Sequence, residues 1–190
     1  VLTFLTIWRL GKKLRTGLLL PAFILGLGIP AQAVLGGFTV LYKLNPWFVG
    51  AHFVLSGFMI AIASLLVFRA LPTKHVAVSP AIFRTATPIA AVGALVVVIG
   101  VLVTGAGPHS GDANSVRNGL DLELWQHVHS YPAYLLLVLV LIQSILLRLR
   151  DLKLAIWDIQ FKVSAALLVL VIAQAVVGVV QSRLGVPPVL

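Results

Sequence analysis

LELWQHVHSYPAYLLLVLVLIQSILL, residues Leu122–Leu147, sets how the rest of the chain must be read. From Tyr134 to Leu147 only Gln143 and Ser144 interrupt its apolar run, and the cations Arg148 and Arg150 close it. At 1.5 Å per residue a segment of this length crosses the ~30 Å hydrocarbon core of a bilayer. Backbone groups in lipid must be satisfied within the segment, so it is a helix and not an open strand. Near its start the same segment carries His127 and His129. Ionisable residues at such depth are costly and raise a question of function.

Four more segments read the same way, roughly Gly17–Tyr42, Pro46–Leu71, Thr85–Thr104 and Phe161–Arg183. Val1–Trp8 reads as the last turns of an earlier helix. The expected fold class is all-α: a polytopic transmembrane helical bundle with about five full transmembrane helices here. Composition agrees. Hydrophobic residues make up 60% of the 190 and charged residues 10%, against about half and a quarter in soluble domains. The formal net charge of +9 does not point to nucleic acid, because the cations sit in short clusters between apolar runs. That is the pattern of membrane anchors, with lipid as the surroundings. With no cysteine, thiolate metal sites and disulfides within the chain are excluded.

The connections set orientation. Arg9, Lys12, Lys13 and Arg15 precede the first full helix; Arg69, Lys74 and Arg84 join the second to the third; Arg148, Arg150, Lys153 and Lys162 join the fourth to the fifth. Only Lys43, Arg117 and Arg183 of the 14 Lys and Arg residues fall on the other side. The crowded side is expected to be cytoplasmic. The chain is then a multi-pass protein of the cell membrane, with the loop GAGPHSGDANSVRNGLD, residues 105–121, outside.

The chain also repeats itself. A shift of about 142 positions, the step from Ala31 to Ala173, sets Ala31, Gln32, Ala33, Val34, Gly36 and Pro46 on Ala173, Gln174, Ala175, Val176, Gly178 and Pro188 without a gap. It also sets Leu5–Trp8 on Leu147–Arg150, two helix ends of the same sidedness. A unit of this length holds four helices, and an even number keeps both copies in one orientation. The expected architecture is a duplicated four-helix bundle. Residues 1–80 form the C-terminal part of the first unit and 81–190 most of the second. The chain is expected to be the middle of a longer protein and inactive by itself.

Five histidines are candidates for chemistry. His75 follows Lys74 in a cytoplasmic connection and reads as a solvated residue. His109 lies in the outer loop, where a turn residue is the plain reading and a rim contact to an entering ligand the functional one. His52 lies about six residues into the helix that opens at Pro46, roughly 9 Å below its start. Its plain reading is a ring bonded to a carbonyl of a neighbouring helix. His127 and His129 are rotated by about 200° from each other, so at most one faces a given site. Their spacing does not suit a compact zinc site on one helix. Neutral imidazoles facing across helices do suit axial ligation of haem iron. Gly36, Gly37, Gly57, Gly93, Gly100 and Gly178 let helices approach, with plain packing as the reading for most. By the repeat, the equivalent of His52 falls about four residues beyond Leu190, and that of His129 about thirteen before Val1. Each unit would then carry a histidine on its second and on its fourth helix.

GGFTVLYKLNPWFVGAHFVLS, GVLVTGAGPHSGD, LELWQHVHSYPAYLL and AQAVVGVVQSRLGVPP together resemble heme A synthase in its bacterial, actinobacteria-like form. The resemblance runs over essentially the whole chain, aligned to the middle of that family. It implies eight transmembrane helices in two halves. It implies oxidation of a methyl group of heme O to a formyl group, giving heme A for cytochrome oxidase, with haem b as redox cofactor. His52 matches the substrate-haem histidine. His129 matches the haem b ligand, because Gln126 fits the family's Gln-x-x-His pattern; Ser130 stands where that family has Arg, which keeps His127 as the alternative. His109, Asp112 and Arg117 are candidate rim residues around haem propionates. Partners implied are heme O and heme A, heme O synthase, an electron acceptor, oxidase assembly proteins and a second copy of the chain. A bis-histidine b-type cytochrome for electron transfer, or a transporter of parallel repeats, would use the same histidines and helices.

Overall fold

A computed structural model describes residues 2–9, 12–71, 80–108, 115–150 and 159–184. The described residues form six helices and no strand: α1 (Leu2–Trp8), α2 (Lys12–Leu41), α3 (Pro46–Ala70), α4 (Pro80–Ala106), α5 (Leu122–Arg150) and α6 (Ile159–Arg183). Five of them contain spans long and apolar enough to cross a membrane, of 25 residues in α2, α3, α4 and α6 and 28 in α5. At 1.5 Å per residue each exceeds the ~30 Å of a hydrocarbon core. The chain is a multi-pass membrane protein. Its helices are apolar all round, with Val40, Ile60 and Val169 among many large side chains left exposed. Such surfaces suit lipid, not water.

Proline does not end these helices. Pro21 and Pro30 lie inside α2, Pro88 inside α4 and Pro132 inside α5. Each removes one backbone donor and leaves a carbonyl one turn earlier without its helical partner. Transmembrane helices tolerate this through neighbouring helices and local hydroxyl groups. The hydroxyl side chains fold back in the same way. Ser64 donates to the Ile60 carbonyl and Thr87 to Phe83, so neither presents an unpaired group to lipid.

The chain divides into two compact units, Val1–Val76 with Asn114–Asn118, and Ala77–Ala113 with Gly119–Leu190. In the first, α1 packs on α2 and α2 on α3. A four-residue turn joins α2 to α3. Lys43 and Leu44 sit there at φ 50° and 57°, and the Leu44 amide closes the turn on the Thr39 carbonyl at 2.7 Å. Asn45 caps α3 by accepting the Trp47 amide, and Pro46 opens it, where a missing N–H costs nothing. Tyr42 stacks on Phe48 at 4.8 Å beside Phe38, an aromatic cluster suited to a membrane interface. Ile7, Leu18 and Ala22 form a small core between α1 and α2.

In the second unit, α4 packs on α5 and α5 on α6. Asp121 starts α5: its carboxylate accepts the Leu124 amide at 2.7 Å and its carbonyl the Trp125 amide. The α5–α6 contact holds a polar pair. Ser144 and Ser164, both buried, bond through their hydroxyls at 2.8 Å, and Ser144 also donates to the Val140 carbonyl. Several helices run beyond the spans expected from sequence, whereas α2 and α3 each end one residue before theirs. α2 begins at Lys12, because its cationic turn continues the helix, and α5 runs through Arg150.

Candidate functional site

His52 lies about two turns into α3 and turns its half-buried ring to α2. The contact is with Gly36: a Cβ there would stand 3.4 Å from His52 Cε1 and 3.8 Å from Nδ1. One turn earlier on α2, Gln32 donates its amide to the Ser56 hydroxyl and to the His52 carbonyl, the latter at 3.3 Å. Ser56 itself donates to that carbonyl at 2.9 Å. Gln32, Ser56 and the His52 backbone thus lock α3 in register against α2. Residues four apart share a helix face, so the lock and the Gly36 notch act on the same side of α2.

His129 repeats this arrangement in the second unit. It too lies about two turns into its helix, half-buried, with its ring over a glycine of the preceding helix. A Cβ at Gly100 would stand 3.0 Å from His129 Cε1, 3.5 Å from Nδ1 and 3.8 Å from Nε2. Both notch glycines have their carbonyls bonded by a threonine further along the helix, Gly36 by Thr39 at 2.7 Å and Gly100 by Thr104 at 2.9 Å. Gly93 lies on the Gly100 face and meets Leu136. Gly37, Gly57 and Gly178 have nothing within 4 Å of the position a Cβ would take.

His127 points elsewhere. It is exposed, and its Nδ1–H donates to the Glu123 carbonyl at 2.8 Å. A carbonyl can only accept, so the Nε2 lone pair is left to a shallow groove lined by Asp121, Glu123, Leu124 and His127. The rotation expected from the two-residue spacing is therefore present, and it selects His129 as the ring that faces α4.

Nδ1 of His52 and Nδ1 of His129 are buried and have no hydrogen-bond partner among the described residues. Buried polar atoms are nearly always partnered, and an orphan calls for an explanation. A neutral imidazole nitrogen is a metal donor as well as a hydrogen-bonding group. No group of three or more His, Cys, Asp or Glu residues that could hold a metal ion occurs among the described residues. Each unit thus has one histidine whose ring packs on a glycine of the preceding helix and whose Nδ1 is buried and unpartnered among the described residues.

Of the other expected site residues, Arg117 is half-buried and donates Nη1 to the Ser115 hydroxyl at 3.2 Å. His109, Asp112 and His75 lie outside the described residues. Gln32, Ser56 and the pairing of each histidine with its own glycine are additions to the sequence reading. The Ala-Gln-Ala-Val repeat contained the signal for Gln32, since a glutamine inside an apolar helix needs a partner. No protein-family model matches the chain, and neither a curated protein nor a solved structure is significantly similar to it.

Proposed function

We propose that the chain belongs to a haem-handling membrane oxidoreductase of the heme A synthase type. Heme O is its substrate and heme A its product. The observation that carries this reading is the matched setting of His52 and His129. Each is a half-buried ring over a glycine with an orphaned, buried Nδ1. The resemblance of the four quoted stretches to heme A synthase supplies the reaction.

His52 and His129 would each offer an imidazole nitrogen to a haem iron. His129 would hold haem b, and His52 would hold the iron of the substrate. Haem b supplies reversible one-electron transfer when bound. The protein's share is orientation. Gln32 and Ser56 fix the His52 backbone, so the ring is presented from a rigid register. Gly36 and Gly100 leave each ring in place without crowding from a side chain. The helices around both rings are apolar, which suits the apolar body of a porphyrin. In this reading the methyl group would pass through an alcohol to the formyl group, taking one oxygen atom from water and giving up four electrons and four protons in all, the electrons going to an acceptor.

In this reading the protein resides in the bacterial cell membrane with the connection between α4 and α5 outside, as the distribution of cations supports. Arg117 lies in that connection as a candidate contact for haem propionates. The test is conversion of heme O to heme A by membranes that contain the intact protein. Formation of heme A above the level of control membranes supports the reading. Reversible haem reduction without heme A formation makes the protein an electron-transfer cytochrome, and absence of any Soret band favours a transporter.

A further inference from the structure

The prolines inside the helices each free a carbonyl one turn earlier: Pro21 that of Gly17, Pro30 that of Gly26, Pro88 that of Arg84 and Pro132 that of Val128. One of these carbonyls is taken up from another helix. Arg69, in the last turn of α3, donates Nη1 to the Gly17 carbonyl at 3.0 Å. Among the described residues, no side chain of another helix bonds the other three. The guanidinium thus stands in for the N–H that Pro21 lacks.

Proline is also where a helix bends most readily. Pro21 divides α2 into a short arm, residues 12–20, and a long arm, residues 22–41. Side chains of α3 hold the long arm: Met59 lies against Gly28, Ser56 bonds Gln32, and the His52 ring covers Gly36. The short arm is held to α3 by Arg69 and by the contact of Leu66 with the small core of Ile7, Leu18 and Ala22. Ile7 belongs to α1 and Leu18 to the short arm, so α1 is carried by that arm.

We propose that Pro21 is a hinge and that the Arg69–Gly17 bond is its latch. Closed, the latch pins the short arm and α1 to the end of α3. Open, the short arm and α1 swing together while the long arm stays on α3. The bond is exposed, so water replaces each partner when the latch opens, and neither state strands a polar group. The device is independent of what the histidines bind.

The test uses the full chain in lipid nanodiscs, with pairs of spin labels read by dipolar electron paramagnetic resonance. The chain has no cysteine, so introduced ones are the only points of attachment. Leu5→Cys with Val67→Cys reports the short arm and α1 against α3, and Ile29→Cys with Ile60→Cys reports the long arm; all four positions are exposed. Arg69→Leu should broaden the first distance distribution and shift it to longer distances, and leave the second unchanged. Pro21→Ala returns a helical N–H to the Gly17 carbonyl and removes the hinge. The double variant Pro21→Ala with Arg69→Leu should therefore regain a narrow first distribution. Three results overturn the proposal. The first distribution stays unmoved by Arg69→Leu, the double variant is as broad as Arg69→Leu alone, or both label pairs broaden together, which makes Arg69 a general support of the α2–α3 contact.

Discussion

Gly100→Ala places a methyl group 3.0 Å from His129 Cε1 and 3.5 Å from Nδ1. Carbon atoms rest at about 3.5–4.0 Å, so the ring must retreat by about half an ångström or more. Overpacking of this kind costs ~1–3 kcal/mol. The Gly→Ala exchange in a helix returns up to ~1 kcal/mol. Gly100→Ala should therefore lower stability by ~0–2 kcal/mol and move the imidazole. Gly37 is the control: nothing stands within 4 Å of it, so Gly37→Ala should show only the helix gain. Gly36→Ala falls between, because its Cβ would stand 3.4 Å from His52 Cε1, near ordinary contact. The expected order of stability is Gly37→Ala, then Gly36→Ala, then Gly100→Ala. Reversible unfolding in mixed micelles, followed by circular dichroism, measures it, and the imidazole proton resonances report ring movement. A Gly100→Ala variant as stable as Gly37→Ala, with the His129 resonances unmoved, would rule out the notch.

Three further outcomes follow from single contacts. Gln32→Leu removes the bonds to Ser56 and to the His52 carbonyl, and should cost ~0.5–2 kcal/mol in micelle unfolding while shifting the His52 ring resonances. Ser144→Ala strands the Ser164 hydroxyl in a buried contact and should cost ~1–3 kcal/mol; a double-mutant cycle should show that adding Ser164→Ala costs little more or recovers stability. Lys43→Gly should stabilise the α2–α3 turn by about 0.5–1 kcal/mol, because Lys43 is exposed and sits at φ 50°, where a Cβ is strained. Equal or lower thermal stability of Lys43→Gly would show that the turn is relaxed.

The five spans were legible because long apolar runs between cationic clusters leave few alternatives to a membrane helix. Helix ends were less legible. Lys12, Lys13 and Arg15 read as a connection, yet they continue α2, since a cationic turn outside the hydrocarbon has no reason to unwind. The spacing of His127 and His129 showed that they point apart, but the choice between them depends on where α4 lies. Gly100 shows which ring faces a neighbour. The Ser144–Ser164 bond and the Gln32–Ser56 bond were invisible for the same reason. A hydroxyl in an apolar helix can fold back on its own backbone, as Ser64 does, and only the register of the adjacent helix decides otherwise. Gly36 and Gly100 looked like any other packing glycines until the rings above them were placed.

The haem-handling proposal stands or falls on His129, rather than His127, as a haem ligand of the second unit. The direct measurement is the Soret absorbance per protein of the haem-loaded chain, compared between His129→Ala and His127→Ala. His129→Ala should lose most of the bound haem. His127→Ala, which removes only an exposed ring bonded to its own helix, should retain it. Equal retention by the two variants, or greater loss with His127→Ala, would overturn the assignment.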